Sequence, residues 1–189
     1  MTLTDAQIDR YSRQIIVPHI GGRGQERLLA ARILLCGDAR DIEAPLAYLV
    51  GAGVGSISLK LSADHPLFTE KNADVSVTIA DGSMSRVDLA LVIIGSDAAR
   101  KIADEIANDS DVRALVVARL DSPGKILVIP DAHRAGTIDA GFGTRAEAAD
   151  FIAMVATAEA FKLIAGHAEN PPRATIEFDG YATRVRVNP

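Results

Sequence analysis

Cysteine occurs once in the chain, at Cys36. That excludes an intramolecular disulfide and any zinc site built from cysteine pairs. Histidine is nearly as scarce: His19, His65, His133 and His167 are scattered, with no metal-ligand spacing. They read as solvated or capping side chains. No apolar run approaches the roughly 20 residues that span a bilayer. The opening MTLTDAQIDR lacks a basic start followed by an apolar stretch, the pattern of a secretory leader. The expectation is a cytoplasmic protein with no membrane segment and no metal. Basic charge is also in deficit, since 20 lysines and arginines against 25 acids leave a net charge of −5. This gives no broad electrostatic reason to bind nucleic acid, although a whole-chain balance is silent on a local patch. What the chain has in quantity is apolar material, 48% of its 189 residues, enough for one domain with a sizeable core.

That material is patterned. Thr4 with Gln7 three residues on is a capping box, and Ile8, Tyr11 and Ile15 then recur at helical spacing. A second helix fits GQERLLAA. RILLCG at 32–37 is a short apolar run, predicting a buried strand. EAPLAYLVGAG predicts a helix with Pro45 in its first turn, where proline is tolerated. VGSISLKL, DVSVTIA (74–80), VDLALVIIG (87–95), RALVVARL and GKILVIP (124–130) predict strands. The run at 87–95 is apolar throughout, as in a strand buried on both faces. SDAARKIADEIAND predicts a helix capped by Ser96 or Asp97. Residues 131–143 show no period and read as a loop. RAEAADFIAMVATAEAFKLIAG predicts the longest helix, with Phe151, Val155, Ala158, Phe161 and Ala165 as its apolar stripe and Gly166 ending it. RATIEFDG and YATRVRV close the chain as a hairpin around Asp179-Gly180. Strands alternating with helices predict a parallel-rich α/β sheet.

Glycines 51, 53 and 55 in YLVGAGVGSISL look like a phosphate loop but stand in the wrong context. A phosphate loop follows a strand and opens a helix, whose free N–H groups and positive dipole end meet the anion. GAGVGS follows a helix and precedes a strand, so it reads as a helix stop and tight turn, with Gly51 or Gly53 at positive φ. The correct context is LLCGDARDIEAP, residues 34–45. Against G-x-G-x-x-G it keeps only Gly37. Ala39 stands where backbone must approach the phosphates, and Ile42 where helix and strand must pack closely. Asp38 and Asp41 bring negative charge to the same place, with Arg40 as a single offset.

On these residues the chain resembles the ThiF/MoeB/HesA adenylating family, relatives of the ubiquitin-activating enzymes. Arg10-Tyr11-Ser12-Arg13-Gln14-Ile15 followed by Gly24-Gln25-Glu26-Arg27-Leu28 matches the family's opening R-Y-x-R-Q-I and G-Q-x-x-L. AGVGSISL matches the segment leading into its second strand, ATAEAFKLIAG its late helix, and IEFDGYATRVRV its closing hairpin. The fold implied is α/β: a Rossmann-like, doubly wound, mostly parallel sheet with a C-terminal antiparallel hairpin. The whole chain, 1–189, reads as one ThiF-like domain. Residues 1–30 form N-terminal helices, 31–120 the Rossmann-like core, and 121–189 a strand, the long helix and the closing hairpin.

The resemblance implies ATP and magnesium used to adenylate the C-terminal glycine of a small ubiquitin-like or sulfur-carrier protein. That chemistry rests on charge stabilisation around the phosphates, and much of the family's set for it is missing. The family's acidic pair after the second strand falls on Leu61 and Ala63, with Asp64 one residue out of register. Its long following segment is reduced to SADHPLFTEKNA, where Lys71 does not align with certainty to the family lysine. Its zinc cysteines and catalytic cysteine are absent, and Cys36 reads as a buried small apolar residue. Two positions survive as cofactor-binding remnants. Asp97 falls on the family's magnesium and ATP aspartate, although a helix N-cap suffices to explain it. Arg13 falls on the arginine that reaches a partner's ATP site in family dimers, with a surface salt bridge as the alternative.

The expectation is a non-catalytic family member without a cofactor, acting through protein–protein association as a scaffold or inactive half. Its partner is a second copy or an intact relative. The alternative is an active adenylyltransferase with an altered site, using ATP and magnesium. A nucleotide-binding oxidoreductase fails on the same missing glycines.

Overall fold

The computed structural model describes residues 2–63, 71–80, 86–107, 109, 111–132, 144–166, 171–178 and 182–188. The capping box forms as predicted: Thr4 Oγ1 accepts from the Gln7 N–H, and Gln7 Oε1 from the Thr4 N–H, starting α1 (Asp5–Ile15). Helix α2 (Gly21–Ala30) feeds β1 (Arg32–Gly37), and α3 (Ala39–Gly51) leads into β2 (Ser56–Leu61). Then come β3 (Ser76–Ile79), β4 (Leu89–Ile94), α4 (Asp97–Ala107), β5 (Leu115–Arg119), β6 (Gly124–Ile129), α5 (Ala149–Ala165), β7 (Arg173–Phe178) and β8 (Thr183–Asn188).

All eight strands join one sheet in the order β3-β2-β1-β4-β5-β6-β7-β8. The run from β3 to β5 is parallel, and β6, β7 and β8 are antiparallel to their neighbours. Strand alternation divides the core between two faces. Ile33, Leu35, Leu89, Leu91, Ile93 and Val116 join the cluster that includes α3 and α5 residues, whereas Leu34, Cys36, Ala90, Val92, Ile94 and Val117 join the one that includes α4. The fold is therefore the doubly wound one expected. Its closing pair is antiparallel, with Phe178 opposite Thr183, while the turn at Asp179-Gly180 lies outside the described residues. Most of the loop expected over 131–143 lies outside them too. No described helix is long and apolar enough to cross a membrane.

Three expectations need correction. Helix α3 begins at Ala39, so Pro45 lies in its second turn, buried, and cannot donate to the Asp41 carbonyl. Asp74 and Val75 precede β3 because Asp74 is engaged by α1. The buried face of α5 is Ala149, Ile152, Ala153, Ala156, Thr157, Ala160, Phe161 and Ala165; of the expected stripe Phe161 and Ala165 are buried, Val155 is half-buried, and Phe151 and Ala158 are exposed. The alanines face inward, where small side chains let α5 approach the sheet, α2 and α3. Phe151 is 59% exposed and stacks edge-to-face with Phe178, ring centroids 5.8 Å apart.

Candidate functional site

In an open α/β sheet, ligands bind beyond the C-terminal ends of the parallel strands, where the strand order reverses. Here that point lies between β1 and β4. Gly37 ends β1, and a Cβ there would lie 2.6 Å from the Ile93 carbonyl oxygen and 2.9 Å from Ile42 Cγ2. The glycine thus admits the branched Ile42 side chain, and close contact of helix and strand is reached from the strand side rather than through a helix glycine.

Asp38 follows as the N-cap of α3, yet its side chain makes no capping hydrogen bond. Its carboxylate instead accepts from Ser62 Oγ beyond β2 and from Ser96 Oγ beyond β4, the latter at 3.0 Å. One carboxylate thereby ties three strand ends together. Asp41, in the first turn of α3, has a fully buried side chain. Arg145 Nη2 lies 2.8 Å and Arg40 Nε 3.3 Å from its Oδ1. Neither contact has the alignment of a hydrogen bond, and both Asp41 oxygens lack one. Gly95 makes the room: a Cβ there would fall 1.7 Å from Asp41 Oδ2. Two carboxylates therefore stand at the head of α3, where an incoming phosphate would meet like charge instead of an empty anion cradle.

The two predicted site residues are not brought together: Asp97 follows Ser96 at this end of the sheet, and Arg13 belongs to α1. Asp97 is the first residue of α4, with a side chain 78% exposed and 3.9 Å from Arg100. It is not the cap, because the Ala99 N–H donates to Ser96 Oγ. Arg13 is exposed in the last turn of α1. Among the described residues it makes none of the salt bridges expected as its alternative role. Tyr11, two residues earlier, is fastened at the opposite end of the sheet: it packs on Gly53, and its hydroxyl donates to Asp74 and accepts from Asn72, both at 3.0 Å. Asp97 stands at the far end of strands that are roughly 20 Å long. Lys71 lies with Arg10 and Gly51 around a cavity at the same end as Tyr11. Leu61 ends β2, and Asp64 lies outside the described residues. Cys36 is buried in β1, and burial pushes its thiol well above the ordinary range, so it is inert. No described group of acidic, histidine or cysteine side chains could hold a metal.

GAGVGS is a packing element. Gly53 has φ +80, and a Cβ on it would sit 2.5 Å from Tyr11; one on Gly55 would sit 1.9 Å from the Leu29 carbonyl oxygen. Gly51 does not take positive φ. Sequence reasoning missed Ser62, Ser96 and Arg145 as partners of Asp38 and Asp41. Gly95, closing an apolar strand ahead of a helix, was the one visible signal of close packing there.

No protein-family profile matches the chain. The sulfur carrier protein adenylyltransferase of Thermus thermophilus is 45% identical over 60 residues, 31% of this chain and 22% of that protein. The probable adenylyltransferase/sulfurtransferase MoeZ of Mycobacterium tuberculosis is 38% identical over 91 residues, 47% of this chain and 22% of that protein. The chain thus spans less than a quarter of these curated relatives. Among solved structures, PaaA superposes with a TM-score of 0.64 at 16% identity, over 98% of this chain and 75% of that one. The ATP complex of MccB from E. coli gives 0.63 at 16%, over 95% and 71%. Together these define a Rossmann-like protein of the ThiF fold. Over part of its length the sequence is similar to ThiF/MoeB-type adenylyltransferases.

Proposed function

We propose that this chain is a non-catalytic ThiF/MoeB-like protein that acts through protein–protein association, as a scaffold or as the inactive half of an activating enzyme. The observation that carries the reading is the occupation of the head of α3 by Asp38 and Asp41, each already engaged within the chain. A nucleotide does not fit these residues, so no ATP-dependent step is drawn through them. The exposed apolar side chains of the α1 region, Ile8, Ile16 and Val17, with Arg13 among them, form the surface offered to a second copy or an intact relative in the cytoplasm.

The competing reading, adenylation of a small ubiquitin-like or sulfur-carrier protein with ATP and magnesium, draws on the relatives' activities and on Asp97. Pyrophosphate exchange with ATP, run with and without candidate carrier proteins, separates the two. Background exchange is expected. Exchange above background that is lost in Asp97→Ala would overturn the non-catalytic reading. Light scattering at micromolar concentration is expected to give twice the 20.0 kDa of one chain. The mass of a single chain would remove the homodimer and leave co-purification with an intact relative as the remaining test of association.

A further inference from the structure

The opposite end of the sheet, where the parallel strands begin, carries a groove of about 600 Å³. Three arginines reach it from three elements: Arg27 from the last turn of α2, Arg32 at the start of β1, and Arg113 ahead of β5. One acid, Asp88, lines it with them. A chain with a net charge of −5 has thus concentrated basic charge in one concave place.

The three guanidiniums do different things. Arg27 Nη1 donates to the Ala165 carbonyl at 3.1 Å, at the C-terminal end of α5. A Cβ on Gly166 would lie 1.7 Å from that same nitrogen. Arg27 is therefore partly spent on joining α2 to α5. Asp88 accepts from the Arg32 backbone N–H at 3.0 Å and lies 3.5 Å from Arg113 Nη1. It holds the start of β1 and steadies Arg113, which stays 65% exposed. The Arg32 side chain takes no ion-pair partner among the described residues. Between the arginines the lining is apolar: Leu89, Ala114, Pro130, Leu163 and Ile164.

We propose that this groove binds an organic carboxylate carried on an apolar stem, with Arg32 and Arg113 gripping the carboxylate. A guanidinium fork matches a planar carboxylate in charge and geometry. The apolar lining favours an amphiphilic anion over an inorganic one, because removing the stem's apolar surface from water is favourable. The carboxylate can come from a free small molecule or from the C-terminus of a polypeptide ending in an apolar residue. The groove is separate from the nucleotide region of the fold and independent of whether that region is active.

The test is an NMR titration of the isotope-labelled full chain with hexanoate, and with a pentapeptide ending in leucine with a free carboxyl terminus. Hexanamide and the amidated peptide are the controls. Saturable shifts of the Ala31, Arg32, Leu89 and Ala114 amides are expected with a carboxylate and not with its amide. Saturation by hexanoate alone assigns the groove to small acids; peptide binding at least tenfold tighter assigns it to chain ends. The Arg32→Gln/Arg113→Gln double variant should weaken binding at least tenfold, while its buried-core signals superimpose on those of the parent. Both substitutions fall on exposed side chains, and the backbone bond to Asp88 is retained. No shift with either carboxylate, equal binding of the amides, or unchanged binding by the double variant would each overturn the proposal.

Discussion

The two ends of the parallel sheet have fared differently. Where the strands begin, several residues of the motifs that resemble the adenylating family are engaged in packing. Tyr11 fills the space that Gly53 leaves, Gln25 is buried and donates to the Ala52 carbonyl at 3.1 Å, and Gly55 lies against the Leu29 backbone. Where the strands end, Ala39 and Ile42 stand in the first turn of α3 and two carboxylates, Asp38 and Asp41, stand at its head. The resemblance is thus borne by residues that build the fold rather than by residues that would handle a nucleotide. A motif match can report a shared architecture and still be silent on shared chemistry.

The sharpest way to break this contrast is to exchange glycine and alanine at the two ends. Gly55→Ala would drive a methyl into a backbone carbonyl, which cannot give way as a side chain can. A loss of about 3 kcal/mol or more is expected, against a total stability of order 5–15 kcal/mol. Gly53→Ala should follow closely, combining positive φ with overlap on Tyr11. At the other end, Ala39→Gly introduces the second glycine of the dinucleotide pattern at the first position of α3 and should cost about 1 kcal/mol or less. Urea unfolding midpoints read all three. A milder effect from Gly55→Ala than from Ala39→Gly would show that the packing end is not the constrained one.

Next in size is the ion pair beneath α3. Arg145→Ala leaves the buried Asp41 carboxylate with only the exposed Arg40 beside it. About 2 kcal/mol of destabilisation is expected, because an uncompensated buried charge costs more than the pair contributes. Asp41→Asn on that background should recover most of the loss. If the single and double variants unfold alike, the carboxylate is not held by Arg145, and the head of α3 is free to take another partner.

Why the packing end was legible and the other was not follows from the interactions involved. Strand alternation, the Thr4–Gln7 box and the αL glycine at Gly166 are local signals, readable within a few residues. The turn role of GAGVGS followed from its position after a helix. Asp38, Ser62 and Ser96 meet only because β1, β2 and β4 are neighbours, and Arg145 reaches Asp41 from more than a hundred residues away. No spacing rule marks such contacts. The stripe on α5 was misplaced in part because alanine reads weakly in a hydrophobic pattern, although it is what close packing selects. Pro45 misled the start of α3 because the rule that confines proline to a first turn yielded to packing around a buried helix.

A smaller effect separates the ends by pH. Burial pushes Asp74 upward, but hydrogen bonds from Gln7, Tyr11 and Arg10, with the Arg10 charge, outweigh it and hold the carboxyl below its usual range. A depressed carboxylate contributes stability that is complete above the unfolded-state pKa, about 3.9. That stability is lost as pH falls through the lower folded-state value. Tyr11→Phe removes one of those donors and should cost about 1 kcal/mol at neutral pH. The gap between variant and parent should narrow below about pH 4. Urea midpoints measured from pH 7 downward test this. A gap that is constant with pH would mean that the hydroxyl acts through packing and not through the carboxylate.

The least effect is expected at Asp97, and that is what makes the residue decisive. Its side chain is 78% exposed, and its ion-pair contact with Arg100 is 3.9 Å. The capping bond of α4 belongs to Ser96. What remains to Asp97 is a favourable position near the positive end of the helix dipole, worth about 0.3–0.5 kcal/mol at an exposed site. Asp97→Ala should therefore shift the urea midpoint barely at all, whereas Ser96→Ala, which also removes a donor to Asp38, should cost about 1 kcal/mol. The same Asp97→Ala protein is the control in the pyrophosphate exchange assay. A side chain with so little structural work can be removed without harming the fold, so any activity lost with it would be chemical. An unchanged background rate together with an unchanged stability would leave Asp97 as an exposed acid on a helix end. It would also place what this chain retains of its relatives at the packing end of the sheet.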